Sequence, residues 1–295
     1  MTKTDAVLVT YNPDIDILVQ CIESLSSQVR TIWLVDNSST TCNFKSSFEH
    51  LPDEIEIIKL MGNTGIAYAQ NIGIEKAIEN EADFILLSDQ DTFFPDNYVA
   101  NMLSVFGGGT TKIAAVAPLF HDAIGDNDNE CFIVNSRFGF SKIFPNEGHH
   151  NIFQAIASGF IIKSSTLRVI GLMEEDLFID WVDLEWCWRA IHMGYFIVGN
   201  ADVVIEHRLG DRSINLGSRG INLRAPSRHY YITRNAFYLA TRCKYLDIWH
   251  RINICFKGFG YLFGYTFLAK PRYENFKMTL LGFYHGLKGQ LGRLD

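Results

Sequence analysis

The sequence has little of what would make it a cross-linked scaffold or a membrane span. Its six cysteines, at positions 21, 42, 131, 187, 243 and 255, include no CxxC pair and no short-spaced Cys/His cluster. A zinc site and a disulfide framework are therefore not signalled, and reduced, mostly buried thiols are expected. No apolar run of signal-peptide length opens the chain, which begins MTKTDAVLVTYN and passes straight into a strand-like pattern, so a cytoplasmic location is expected. The longest uncharged stretch of the C-terminal part, 258–269, spans 12 residues, well short of the roughly 20 that cross a bilayer. The chain has no internal repeat and no low-complexity segment. No GxGxxG follows the first strand, which argues against a dinucleotide-binding dehydrogenase, and no nucleic-acid partner is expected.

What is present is the composition of a globular protein. With 295 residues, 47% hydrophobic and 20% charged, the chain can bury a sizeable core as one large domain or as a domain with an appendage. The net charge of -7 hides an asymmetry: residues 208–295 hold 15 Lys and Arg against 4 Asp and Glu, which leaves 11 against 29 for residues 1–207. Such a split can mark a basic end that meets an anionic membrane surface or a diphosphate.

Apolar strand-like runs at 6–12, 31–37, 54–60 and 84–91 alternate with helical spacing at 14–28 and 64–79. That alternation predicts an α/β fold, with a parallel sheet covered on both faces. Loops are expected at 107–110 and 122–130, and an extended segment at 131–144. A strand and a helix capped near Ser164 or Ser165 follow, then a helix over 178–195, a strand over 201–209 and a basic, aromatic, helical tail from 225. The division is thus 1–224 for the main domain and 225–295 for a helical extension. Each early strand ends in polar residues: Thr10, Tyr11 and Asn12; Asp36 and Asn37; Asp89 and Asp91. In open α/β sheets ligands bind beyond the carboxyl ends of the strands, so these ends should converge on one crevice.

Two acidic constellations carry the chemistry. Asp89 and Asp91 flank Gln90 after the apolar run FILLS. In an extended segment they point the same way and repel unless a cation sits between them, and a hard divalent ion commonly takes one or two carboxylates plus substrate phosphates. A solvated turn is the competing reading. The second is the segment VDLEWCWR, 182–189, preceded by Asp176 and Asp180. A carboxylate among Trp181, Trp186 and Trp188 would be partly desolvated, raising its pKa toward the range of a general base. The alternative is an amphipathic helix with Glu185 and Arg189 paired at i, i+4.

Taken in order, AVLVTYN, VDNSS, GNTGIAYAQNIGI, LLSDQDT, ASGFIIKSS and FIDWVDLEWCWRA resemble family 2 glycosyltransferases of GT-A fold, most closely the bacterial rhamnosyltransferases that use dTDP-L-rhamnose. The resemblance spans roughly residues 4–240. It implies a mostly parallel, Rossmann-like mixed sheet flanked by helices, with Thr10, Tyr11, Asn12, Asp36 and Asn37 lining the nucleoside pocket and Asn63, Gly65 and Asn71 near the base, ribose and diphosphate. It makes Asp89 and Asp91 the DxD pair that holds Mg²⁺ or Mn²⁺ against the donor diphosphate, with His207 completing the metal site. Asp183 would be the catalytic base, with Asp180 in reserve because Val182 departs from the usual acidic pair, and Glu185 the second acid. Arg228 or Arg234 would face the donor or a lipid-linked saccharide acceptor, with peripheral contact at the inner face of the membrane. The implied reaction is inverting transfer of rhamnose in cell-surface polysaccharide synthesis, including O antigen. The rivals are a UDP-hexose donor on the same fold, or a nucleotide-sugar-binding protein without activity.

Overall fold

The computed structural model describes residues 2–40, 54–107, 112–122, 131–207, 213–216, 219–222 and 224–294. The expected loops at 107–110 and 122–130 fall mostly outside these residues, as does Cys42. Of the five described cysteines, Cys21, Cys187 and Cys243 are buried, and Cys131 and Cys255 partly so.

The main sheet begins with β1 (Thr4–Thr10), β2 (Thr31–Asp36), β3 (Ile55–Lys59) and β4 (Phe84–Ser88), all parallel, in the spatial order β3-β2-β1-β4. Beyond β4 the sheet continues through β10 (Phe160–Lys163), β6 (Ile113–Asp122) and β11 (Phe196–His207) to β5 (Thr92–Phe93), with β9 (His149–Ile152) also on β11. Strands β5, β9 and β10 run against the other six, so the sheet is mixed and mostly parallel rather than purely parallel. Two hairpins stand apart, β7 (Phe132–Ser136) with β8 (Gly139–Ile143) and β12 (Ser213–Leu216) with β13 (Arg219–Asn222).

Alternation along the strands sorts side chains to two faces. Val7, Ile85 and Leu87 point to a core shared with α2 (Ile66–Glu79), α4 (Ser164–Ile170) and α5 (Val182–His192). Ala6, Leu8, Leu34 and Leu86 point to the other, shared with α1 (Ile15–Ser26) and α3 (Tyr98–Ser104). Both faces are covered, which is why the strands read as continuous apolar runs. Each Leu or Ile fully buried this way contributes roughly 1.5–3 kcal/mol. Helix α1 starts where expected because the Asp14 carboxylate accepts the Asp16 and Ile17 amides.

Three boundaries differ from the sequence reading. Helix α4 has Lys163 at its N-cap with no side-chain cap, so neither Ser164 nor Ser165 serves. The final strand of the sheet begins at Phe196, five residues before the expected 201. Helix α5 begins at Val182, not 178, because Phe178, Asp180 and Trp181 have φ of 65°, 61° and 69°. Left-handed backbone at non-glycine residues is costly, so the surrounding packing must hold this segment. The tail forms α6 (Pro226–Arg242), α7 (Ile248–Leu268) and α8 (Arg272–Lys288). Its first helix packs Ala236, Leu239 and Ala240 against Trp181 and Trp188. Among the described residues, no helix is long and apolar enough to cross a membrane.

Candidate active site

The chain leaves β1 toward β2 and β3 on one side, then returns to β4 on the other. The carboxyl ends of β1 and β4 therefore meet at the topological switch point, where a crevice is expected. The Tyr11 amide donates to Gln90 Oε1 at 2.9 Å, tying the two strand ends together. A cavity of about 470 Å³ opens there. One wall is Tyr11, Asn37, Asn63 and Gly65; the second is Asp89, Gln90 and Asp91; the third is Phe178 and Ile179, with Arg224 and Arg228 at its edge.

Each wall is fixed by its own hydrogen bonds. Asn37, buried after β2, accepts the Thr64 amide at 2.9 Å and donates to Asn63 Oδ1 at 3.2 Å, and Asn63 Oδ1 also accepts the Gly65 amide at 3.1 Å. Gly65 has φ of +87°, and a Cβ there would meet the Phe178 carbonyl oxygen at 2.5 Å. That same carbonyl accepts the Ile66 amide at 2.7 Å, so the first turn of α2 is spent on the wall. Gly65→Ala is accordingly expected to push 65 and 178 apart and weaken nucleotide binding at least tenfold while the sheet stays folded. Calorimetry with dTDP checks this; unchanged affinity would show that the wall is not part of the site.

The acids are drawn together by a segment remote in sequence. Asp89 and Asp91 lie in a turn after β4 rather than in an extended strand, yet both face the cavity. The buried Ser158 hydroxyl donates to Asp89 Oδ2. The adjacent Ala157 amide donates to Asp183 Oδ2 at 2.9 Å, and the Leu184 amide donates to Asp183 Oδ1 at 3.0 Å. Residues 157 and 158 thus bridge Asp89 to Asp183, which stands at the start of α5 behind Asp89 and not in the cavity wall itself. Burial, reinforced by the nearby Asp89 charge and opposed by those two amides, pushes the Asp183 carboxyl up to about 7. A carboxylate of that basicity suits proton abstraction near neutral pH. The two cavity carboxylates, with open space beside them, offer the hard oxygen donors that a divalent cation takes when phosphates complete its shell. Among the described residues, no group of three or more His, Cys, Asp or Glu could hold a metal by protein ligands alone.

Residues 5–171, more than half of the chain, match the family described as Glycosyl transferase family 2. The chain is also 32% identical over 236 residues to the dTDP-rhamnosyl transferase RfbF of Shigella flexneri, covering 79% of this chain and 78% of that protein. This chain belongs to glycosyl transferase family 2. Solved structures share the fold at 14% identity. TarS 1-349 of S. aureus in complex with UDP-GlcNAc gives a TM-score of 0.61 over 97% of this chain and 82% of that one. GalNAc-T7 with UDP, GalNAc and Mn²⁺ gives 0.60 over 87% of this chain, which spans only 54% of that chain. The architecture is the GT-A arrangement.

Seven expected residues of the transferase therefore line one cavity: Tyr11, Asn37, Asn63, Gly65, Asp89, Asp91 and, at its edge, Arg228. The others lie elsewhere. Thr10 and Asp36 are fully buried beneath the floor, Asp36 Oδ1 accepting the Ser39 amide. Asn12 Oδ1 accepts the Thr40 amide at 2.8 Å and so holds the loop after β2. Asn71 clamps the backbone before the third wall, giving Nδ2 to the Met173 carbonyl and Glu175 Oε1 and taking the Met173 amide. Arg234 is fully buried and donates to the carbonyls of Asp176, Leu177 and Gly292. With Asn235, which donates to the carbonyls of Leu177, Ile179 and Asp180, it braces the left-handed segment that forms the Phe178 wall. Asp180 accepts both Arg228 nitrogens at 3.2 Å. His207 ends β11 opposite Thr92 in the backbone ladder; a ligand role for its imidazole lies outside the described side chains.

Glu185 is held by Arg189 at 2.9 and 3.1 Å, and Arg189 also donates to the carbonyls of Ile170 and Leu172. The pair is buried, with side-chain exposures of 6% and 13%. Burial raises the Glu185 pKa, opposed by the Arg189 charge. Glu185→Ala is expected to cost about 3–5 kcal/mol of stability by leaving Arg189 buried without its counter-charge. Denaturant unfolding measures that loss. Nucleotide affinity of the protein that remains folded should be unchanged.

Gln90, Ser158, Phe178 and Ile179 are site residues that sequence reasoning did not single out. Gln90 was available from its place between the two acids. The other three depend on which distant segments meet, for which the sequence carries no local signal.

Proposed function

We propose that the chain is a metal-dependent inverting rhamnosyltransferase that moves L-rhamnose from dTDP-β-L-rhamnose to a lipid-linked saccharide acceptor at the inner face of the cytoplasmic membrane. The observation that carries the reading is the Asp89–Ser158–Ala157–Asp183 bridge at the switch-point cavity, because it sets a diphosphate-side acid beside a base of raised pKa. The rhamnose donor is supported by the likeness to the Shigella flexneri enzyme, and a lipid carrier such as undecaprenyl diphosphate by the basic, aromatic C-terminal helices.

Asp89 and Asp91 would hold the cation and, with it, the donor diphosphate. When bound, Mg²⁺ or Mn²⁺ supplies Lewis-acid neutralisation of the departing nucleoside diphosphate. Asn37 and Asn63 fix the cavity wall that receives the nucleoside, and Tyr11 is exposed on its rim. Asp183 takes the proton of the acceptor hydroxyl. As that oxygen bonds to the anomeric carbon, the bond from carbon to phosphate oxygen breaks and dTDP leaves with the electron pair. Attack opposite the leaving group turns a β-linked donor into an α-rhamnoside.

The test is turnover of dTDP-rhamnose by pure protein with Mn²⁺ and a lipid-linked saccharide, with UDP-hexoses run in parallel. Consumption of dTDP-rhamnose alone supports the reading. Turnover confined to UDP-hexoses would move the donor assignment.

A further inference from the structure

Among the described residues, many of the exposed large apolar side chains lie on the C-terminal helices, and none of these lines the cavity. On α7, Trp249, Ile252, Phe256, Phe263 and Phe267 recur at helical spacing and are 36% to 73% exposed. They form one stripe along a helix of 21 residues, roughly 30 Å long. On α8, Phe276, Leu280, Tyr284 and Leu287 form a second stripe, 42% to 49% exposed.

Both stripes are left outward, because the opposite faces of α7 and α8 are committed to α6. Gly258 of α7 sits over Phe237. Gly282 and Gly286 of α8 abut the Tyr230 and Arg234 carbonyls so closely that a Cβ would clash. Phe259 and Phe283 join the two helices, with ring centroids 6.0 Å apart. The hairpin of β7 and β8 extends the surface: exposed Phe138 meets Trp249 edge-on at 5.4 Å, beside exposed Arg137.

The rim of this surface is basic. Between positions 248 and 294 the sequence carries seven Lys and Arg and one acid, Glu274. Lys270, Arg272, Lys277 and Lys288 are exposed around the stripes. A contiguous aromatic face ringed by cations is the pattern of a helix that lies in a membrane interface, its rings at the headgroup boundary and its cations on anionic lipid. A second copy fits less well, since pairing these faces would set two basic rims against each other.

We infer that the joint outer face of α7 and α8, with the Phe138 hairpin tip, docks the protein flat on an anionic lipid bilayer. This deepens the reading of a lipid-linked acceptor and rests on it for its purpose. Helix α6 connects the two sites, carrying Arg228 at the cavity edge and packing Tyr230, Arg234 and Phe237 against α7 and α8.

The test is sedimentation of the full chain with vesicles of phosphatidylglycerol and phosphatidylcholine, compared with phosphatidylcholine alone. The wild-type protein should bind the anionic vesicles. The combined variant F256S/F263S/F267S should lose at least tenfold in partitioning, and Lys277→Glu with Lys288→Glu should lose most of the preference for anionic lipid. These side chains are exposed, so the unfolding temperature and dTDP affinity should stay at wild-type values. Wild-type protein that stays in the supernatant, or a triple variant that still binds, would overturn the inference. A concentration-dependent dimer that the triple variant loses, without vesicle binding, would overturn it in favour of a second copy. Vesicle binding without any dTDP binding would instead remove the dTDP-donor reading and leave the docking face standing.

Discussion

Asp183→Asn is expected to lower kcat by roughly 10³-fold, the scale of a lost general base, while dTDP affinity stays within about twofold, since Asp183 stands behind Asp89 and outside the cavity wall. The amide is nearly the same size but keeps one acceptor oxygen, so it would hold either the Ala157 or the Leu184 amide and not both. The pH dependence provides an independent check. The base works only without its proton, so kcat should climb with pH through the Asp183 pKa, which burial and the Asp89 charge push up to about 7. A cation bound at Asp89 offsets that charge, so the rise should fall below 7 in the loaded enzyme.

Stability of the metal-free protein carries the opposite sign. The folded pKa lies above the ordinary value of 3.8, so folding favours the protonated acid. That contribution is complete below about pH 4 and is lost as pH rises to about 7. Asp183→Asn should therefore gain stability relative to wild type across that window. Rates unchanged in Asp183→Asn, together with inactivity of Asp180→Asn, would move the base to Asp180.

Asp89→Asn should abolish the Mn²⁺-dependent part of dTDP binding. Even partners outside a metal's own ligands cost roughly 10- to 100-fold in affinity, so replacing a ligand should cost about 100-fold or more. The asparagine can still accept from Ser158, which keeps the bridge to 157 and leaves the fold intact. Calorimetry with and without Mn²⁺ separates the two contributions. If Asp89→Asn lost affinity equally without metal, the carboxylate would be acting on the nucleotide directly.

Much of the fold was readable in the sequence because strands buried on both faces announce themselves as apolar runs, as AVLV and FILL do. The polar tips of those strands marked the cavity for the same reason that α/β sheets bind beyond their carboxyl ends. Polar residues of the interior were less legible. Asn71 and Arg234 are held by backbone carbonyls that only the tertiary structure brings near, whereas Glu185 takes the i, i+4 pairing with Arg189 that its spacing allowed. The start of α5 was misplaced because Phe178, Asp180 and Trp181 adopt left-handed backbone that no glycine announces. That strain is held by Arg234 and Asn235 from about 55 residues away along the chain. Ser158 belongs to a recognisable ASGF run, but its hydrogen bond to Asp89 spans 69 positions.

On the proposed reading, the two acids of the turn after β4 would hold a cation that anchors the donor's pyrophosphate. Crystals grown with dTDP and Mn²⁺, measured for anomalous scattering at the manganese edge, examine that directly. The expected result is one strong peak between the Asp89 and Asp91 carboxylates and the two phosphates, with the nucleoside against Asn37 and Asn63. Manganese bound elsewhere, or dTDP seated outside this cavity, would contradict it.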